Sequence, residues 1–191
     1  MRTPSIQGML RRTALAGLLA GLVQASLQGA APIQVNDVYD QSWILNPKNS
    51  VSVILYSNAS VQQRTREAGL ALHPYVRKNA GSRPFHFLVV VDLRGSMANW
   101  APGYTVRRIR ADLEEKFRVL PPVPGREDVL APRPDVSAVA DFKGEACRSL
   151  GWDKPSSTLR VVIFRKGIEV KRWEDLRDLN ELTDQVGRLM Q

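Results

Sequence analysis

Residues 85–93 read FHFLVVVDL and predict the strongest strand of the chain. A second β-branched run, VSVILY at 51–56, is typical of a strand that is buried on both faces of a sheet. Between the two strands, apolar residues at near-helical spacing predict a helix, and Ser60 with Gln63 matches a capping box at its start. Pro74 should kink or shorten this helix, because proline removes a backbone hydrogen bond.

The chain continues to alternate between predicted helices and strands after residue 93. The first predicted elements are a helix with an apolar stripe (Val106, Ile109, Leu113, Phe117), a proline-rich loop (121–135) and a strand (137–142). A short helix (145–150), a hairpin (158–164 with 168–173) and a final helix with a capping box (Asp178, Glu181) follow. This order predicts an α/β fold, with a mostly parallel central sheet, an antiparallel C-terminal hairpin and helices on both faces.

Residues 1–31 have the three parts of a secretory signal peptide. The charged part contains Arg2, Arg11 and Arg12. An uncharged, mostly apolar run at 13–27 follows, and small residues allow cleavage near 25–31. The alternative is a membrane anchor, but a span needs about 20 predominantly apolar residues and this run is shorter. The paired arginines also leave a twin-arginine signal open.

We therefore expect a periplasmic or secreted protein. Its predicted parts are a signal peptide (1–31), a lead-in segment (32–49) and one domain (50–191). The formal net charge of +8 includes the leader arginines and does not by itself indicate nucleic-acid binding. We expect no nucleic acid, no cofactor and no stable membrane span after cleavage; another periplasmic or envelope protein is the expected partner.

The single cysteine, Cys147, limits the chemistry that the chain can perform. One cysteine forms no intramolecular disulfide, and His73 and His86 lie far from it and from each other in sequence, so no metal site is predicted. Cys147 on the predicted short helix is either a small buried hydrophobic residue or a lone redox thiol, with Arg148 nearby to favour the thiolate.

A strand–helix–strand half followed by a hairpin and a helix resembles the thioredoxin fold. The most specific stretch, 138–174, is similar to the YtfJ family of periplasmic proteins. The residues that carry this similarity are Gly144-Glu145, Gly151-Trp152, Ser156-Ser157 and FRKGIEV at 164–170. In addition, Val90-Val91-Asp92 is similar to the second-strand region of that family. The resemblance implies a thioredoxin- or peroxiredoxin-like fold in the periplasm and no settled reaction.

That resemblance also identifies what is missing. A thioredoxin carries CxxC after its first core strand and a cis-proline before its penultimate strand. The corresponding, degenerate active-site residues here are Asn58, Ala59, Ser60, Val61 and Ser157. Without sulfur at this position, dithiol exchange and peroxidatic-cysteine catalysis there are excluded, and we predict no catalytic residue.

A candidate binding surface follows the strand at 85–93. It consists of Trp100, Tyr104, Arg107 and Arg108, which either contact a ligand or close the bottom of the core. Asp92, at the end of that strand, is expected to hydrogen-bond the adjacent loop. Two hypotheses result: a non-catalytic binding protein that uses the degenerate helix start and the proline-rich loop, or a monothiol redox protein that acts through Cys147 on a partner disulfide.

Overall fold

A computed structural model describes residues 31–79 and 85–191. Its strands are β1 (Gln34–Asn36), β2 (Ser42–Ile44), β3 (Val51–Ser57), β4 (Phe85–Asp92), β5 (Val136–Asp141), β6 (Val161–Arg165) and β7 (Ile168–Trp173). Its helices are α1 (Gln62–Asn79), a 3-10 helix (Met97–Trp100), α2 (Pro102–Phe117), α3 (Glu145–Ser149) and α4 (Leu179–Leu189). The predicted signal peptide, apart from Ala31, lies outside the described residues.

The central sheet has five strands in the order β5-β4-β3-β6-β7. β3 pairs in parallel with β4, and β4 pairs in parallel with β5. β6 is antiparallel to both β3 and β7, so four of the five strands run in one direction. This mixed sheet confirms the predicted α/β class with its antiparallel C-terminal hairpin.

The two faces of the sheet have different covers. Successive residues of β3 alternate between them, because side chains of a strand point to opposite sides. Val53 and Leu55 pack with α1, α2 and α4 on the side that we call the helical face. Ile54 and Tyr56 pack on the opposite side, the hairpin face, with α3 and the β1–β2 hairpin.

The predicted lead-in segment folds as part of this architecture. β1 and β2 pair antiparallel within it, with Val35 opposite Trp43. Trp43 and Leu45 are buried on the hairpin face. The sequence analysis did not predict these strands, which are three residues each and too short to give a clear alternating pattern.

Two details of α1 differ from the expectation. Asn58 Oδ1 accepts hydrogen bonds from the backbone N–H groups of Ser60 (2.9 Å) and Val61 (3.2 Å), so Asn58 caps the turn that leads into α1. The predicted capping box of Ser60 with Gln63 is therefore wrong. The helix also continues past Pro74 to Asn79, so proline does not shorten it.

One of the two residues of the capping box predicted for α4 caps the helix as expected. Asp178 accepts the backbone N–H of Asn180 (2.9 Å), as a cap residue does. Glu181 instead accepts a hydrogen bond from the Trp173 indole (2.9 Å), which ties α4 to β7. The tertiary contact therefore replaces the second half of the expected capping box.

Candidate functional site

Polar side chains at the carboxyl ends of β3 and β4 form one closed hydrogen-bond network. The Tyr56 hydroxyl donates to Asp92 Oδ2 (2.9 Å) and accepts from the Asn58 side-chain amide (3.0 Å). The same hydroxyl accepts the backbone N–H of Ser156 (2.9 Å), and the Asn58 amide also donates to the Ser156 carbonyl (2.8 Å). The network therefore joins the ends of two parallel strands to the segment that precedes β6.

Arg94 completes the network by pairing with Asp92. Its guanidinium donates to the two carboxylate oxygens through Nε (2.9 Å) and Nη2 (2.7 Å). Burial would raise the pKa of Asp92, but hydrogen bonds from Arg94 and Tyr56 hold it below its ordinary value. Burial raises the pKa of Tyr56 to about 12. At neutral pH the carboxylate is thus a fixed acceptor and the phenol a fixed donor, and neither is poised to transfer a proton.

The degenerate position holds no reactive group. Asn58 is used in the network and in the helix cap, while Val61 is buried in the core. Ala59 and Ser60 are exposed. Ser156 meets the Asn58 side chain where Ser157 was expected, and Ser157 is exposed. Of the residues predicted at this position, Asn58 therefore connects the end of β3 to the segment before β6.

The stretch that carries the family resemblance builds this connection from the other side. The Trp152 carbonyl accepts from Arg94 Nη2 (3.1 Å), and the Asp153 carbonyl accepts from Nη1 (2.5 Å). Gly144 has φ of +74°, and a Cβ there would overlap the Arg94 side chain. The glycine is required because it provides both the backbone conformation and the space for the guanidinium.

Cys147 lies on α3 and is fully buried on the hairpin face. Burial raises the pKa of its thiol, and the neighbouring carboxylates of Asp141 and Asp92 raise it further. Asp141 also accepts the Cys147 backbone N–H (2.8 Å). Arg148, expected to favour the thiolate, is exposed and donates to the Lys143 carbonyl (2.9 Å) instead. The surroundings of this sulfur favour the neutral thiol.

A groove of about 470 Å³ lies on the helical face between α1 and α2. This volume is within the range of about 300–1,000 Å³ that is common for small-molecule sites. Its floor consists of Phe87, Val89 and Val91 of β4 and Ala138 of β5. One end opens beside Ser57, Asn58 and Ala59, so the groove begins at the degenerate active-site position.

The groove leaves part of a central strand uncovered. β4 is paired on both edges, and central strands of such sheets are ordinarily buried on both faces. Val89 and Val91 nevertheless remain partly exposed. Gly69, in the middle of α1, faces Phe87, and a Cβ there would lie 3.8 Å from the ring. The glycine thus keeps the space above Phe87 open.

The walls of the groove carry several cations. Arg66 lines it from α1, and Arg108 and Lys116 line it from α2. Among the described residues, none of these three forms a salt bridge. Burial and then the charge of Arg66 lower the pKa of Lys116. Burial, with the charges of Arg77, Lys116 and Arg133, lowers the pKa of His73 at the same end of the groove.

The structure divides the predicted binding surface. Tyr104 and Arg108 line the groove, whereas Trp100 and Arg107 do not. Trp100 is 91% exposed and Tyr104 is 59% exposed. The alternative that these aromatic residues close the bottom of the core is therefore wrong. The proline-rich loop at 121–135 contributes no residue to the described lining of the groove.

Sequence reasoning missed the groove itself. The available signal was Gly69, a glycine inside an otherwise regular helical pattern, which usually has a packing or functional reason.

In the described parts of the chain, no cluster of three or more His, Cys, Asp or Glu side chains is arranged to hold a metal ion. None of the helices described here is long and apolar enough to span a membrane.

No protein-family model and no curated protein sequence matches the chain. Its structure is similar to a thioredoxin-family thiol:disulfide interchange protein from Chlorobium tepidum, with 12% identity, a TM-score of 0.51 and coverage of 84% of this chain and 94% of that one. It is also similar to a protein assigned as a thioredoxin from Neisseria meningitidis, with 14% identity, a TM-score of 0.50 and coverage of 83% and 87%. The chain thus has a thioredoxin-like α/β fold with a mixed central sheet.

Proposed function

We propose that this protein is an exported, non-catalytic thioredoxin-like domain that binds an apolar ligand in the groove between α1 and α2. The observation that carries the proposal is the partly exposed floor of the groove, where Val89 and Val91 of a central strand face an open space. Leaving such side chains uncovered forgoes about 25 cal/mol per Å² of burial, and a bound apolar ligand would recover it.

A non-catalytic role fits the network at the degenerate position. Asp92 is paired with Arg94, and the Tyr56 hydroxyl already makes three hydrogen bonds. A general base needs an accessible group whose pKa is near the working pH, and the pKa shifts of both residues point away from it. The network instead holds the groove mouth in a fixed shape.

The alternative, a monothiol redox protein acting through Cys147, has less support. The thiol is buried on the face opposite the groove, and its pKa is raised. A redox thiol needs access and thiolate character. This alternative predicts a mixed disulfide with a partner that is lost in Cys147→Ser; trapping such a species would favour it over the binding proposal.

Export and family membership are part of the same proposal. The charged, apolar and small-residue parts of the leader support a signal peptide, and the residues quoted from 138–174 support a YtfJ-like periplasmic protein. Cell fractionation followed by N-terminal sequencing tests export. We expect a mature protein that begins between residues 26 and 32; an uncleaved chain in the membrane fraction would contradict it.

Binding of the neutral, environment-sensitive dye Nile red tests the groove. We expect a saturable rise in fluorescence with the wild-type protein. Gly69→Leu places a side chain above Phe87 and should weaken binding about tenfold or more, which corresponds to about 1.4 kcal/mol. Gly69→Ala is the matched control, because its Cβ makes only an ordinary contact with the ring. Equal binding by all three proteins would place the dye elsewhere and reject the groove.

A further inference from the structure

The charges around the groove define the kind of apolar ligand that it fits. Arg66, Arg108 and Lys116 line it without a salt bridge to any described residue. The acids among the described lining residues are Asp112 and Asp92, and Asp92 is already paired with Arg94. The groove therefore has an apolar floor and a positive rim, on which these three cations outnumber Asp112, the described lining acid that is not paired with an arginine.

Two of the cations line the groove from different helices. Arg66 belongs to α1 and is exposed, whereas Lys116 belongs to α2 and is partly buried. The charge of Arg66 contributes to the lowered pKa of Lys116, and the charges of Asp112 and Glu115 oppose this shift. Like charges repel each other, so an anion between the Arg66 and Lys116 side chains would relieve the repulsion.

The groove is long enough for an extended chain. Along α1, its lining extends from Gln62 to His73, about 16 Å at a rise of about 1.5 Å per residue.

An extended peptide is a poor fit. Its backbone N–H and C=O groups would lie against Phe87, Val89 and Val91, whose side chains offer no hydrogen bond. Burying such groups without partners costs on the order of 1–3 kcal/mol each. A hydrocarbon chain has no polar groups to satisfy, so the floor selects for it.

We propose that the groove holds the hydrocarbon chain of an anionic single-chain lipid, with its acidic headgroup between Arg66 and Lys116. The proposal rests on the function proposed above and specifies its ligand. The apolar side chains of Leu70 and Tyr104 on the two walls, each at least half exposed, extend the surface that the chain would cover.

Displacement of Nile red by ligands with one chain length and different headgroups tests the proposal. Dodecanoate and dodecyltrimethylammonium, below their micelle concentrations, and dodecanol, below its solubility limit, are titrated into the purified protein. We expect dodecanoate to displace the dye at a concentration at least about tenfold lower than dodecyltrimethylammonium, with dodecanol between them. Equal displacement by all three would overturn the headgroup assignment and leave the groove as an apolar site.

Charge variants locate the headgroup. In Arg66→Gln with Lys116→Gln, we expect the affinity for dodecanoate to fall about tenfold while that for Nile red is unchanged. Lys143→Gln with Lys154→Gln, which removes two exposed cations outside the groove, is the matched control and should bind dodecanoate as the wild type does. Equal losses in the double variant and in this control would mean that net charge alone attracts the anion.

The remaining outcomes separate this inference from the proposed function. A protein that binds neither Nile red nor dodecanoate rejects both. Displacement of the dye by an acidic amphipathic peptide, but not by dodecanoate, keeps the groove and overturns the lipid in favour of a protein ligand. If the double variant does not fold, the headgroup series on the wild-type protein still decides, because it needs no substitution.

Discussion

The two faces of the sheet differ in how completely their side chains are buried. On the hairpin face, Tyr56 and Trp152 are fully buried with their rings 5.7 Å apart, and Cys147 lies in the same cluster. On the helical face, Val89 and Val91 of the central strand remain partly exposed beneath a groove. One face is filled and the other is left open.

The open face is the more promising place for a function in a thioredoxin-like chain with one cysteine. Asn58 and Asp92, at the carboxyl ends of the strands, hydrogen-bond within the network and offer no reactive atom. The remaining cysteine belongs to the filled face. The open face retains an accessible concave surface, on which the proposed binding function rests.

Labelling of Cys147 by a thiol reagent should show the largest contrast between the two faces. Because the sulfur is fully buried and its pKa is raised, we expect labelling of the native protein to be at least about 10³-fold slower than labelling of the urea-unfolded chain. The control is Cys147→Ala with Ser149→Cys, which places a thiol at an exposed position of the same helix. Rapid labelling of Cys147 in the native protein, with an apparent pKa well below about 8.5, would mean that the thiol is accessible and would favour the redox alternative.

Two tryptophans allow the same substitution in opposite surroundings. Trp152→Ala should lower the free energy of unfolding by about 3–5 kcal/mol, because a large side chain that is 1% exposed leaves a cavity. Trp100→Ala should change it by less than about 0.5 kcal/mol, since Trp100 is 91% exposed. Urea unfolding followed by circular dichroism measures both. Similar losses in the two variants would mean that Trp100 packs against the core.

The two histidines extend the comparison to pH. Burial lowers the pKa of His86, which packs edge-on against Trp43, to about 4, below its ordinary value of 6.5. Between these values the unfolded chain binds a proton that the folded protein does not, so stability should fall as the pH drops from 6.5 to 4. His86→Gln should remove about 2–3 kcal/mol of this fall, because the slope approaches its limit of about 1.4 kcal/mol per pH unit only in the middle of this range.

Urea unfolding at pH 7.5, 5.5 and 4.5 measures the effect of His86→Gln. The comparison is His73→Gln on the groove wall, where the pKa is also lowered but the side chain is only half-buried. We expect the pH dependence to change less in that variant, because water still reaches the ring. If His86→Gln retains the full wild-type pH dependence, other groups cause the loss of stability in acid.

Much of the fold was predictable because its signals are local. The buried runs at 51–56 and 85–93 became β3 and β4 within one residue at each end, and the glycine turn before Ile168 placed the hairpin. The β1–β2 hairpin was missed, since strands of three residues carry almost no periodicity. The α1 cap was also misplaced, because the Asn58 side chain binds both the helix start and Ser156, which is distant in sequence.

The candidate site was less predictable because it depends on spacing between elements. The order of the strands was enough to predict that Asn58 and Asp92 lie at the carboxyl ends of neighbouring strands, where the network forms. The groove could not, since the separation of α1 and α2 is set by tertiary packing. Arg66 and Lys116 lie on different helices, and their approach across the groove is not encoded in any local pattern.

The smallest expected effect concerns Gly69, the residue that keeps the open face open. Glycine in a helix interior is less favourable than alanine by about 0.5–1 kcal/mol, because it loses more backbone entropy on folding. A Cβ at Gly69 would lie 3.8 Å from the Phe87 ring, an ordinary contact, so Gly69→Ala should stabilise the protein by about that amount. Helix α1 offers a comparison in the exposed Gln63, where Gln63→Ala should change stability by only a few tenths of a kcal/mol. Destabilisation by Gly69→Ala would mean that α1 and the sheet are closer than this contact allows, and that the groove above Phe87 is narrower than its lining indicates.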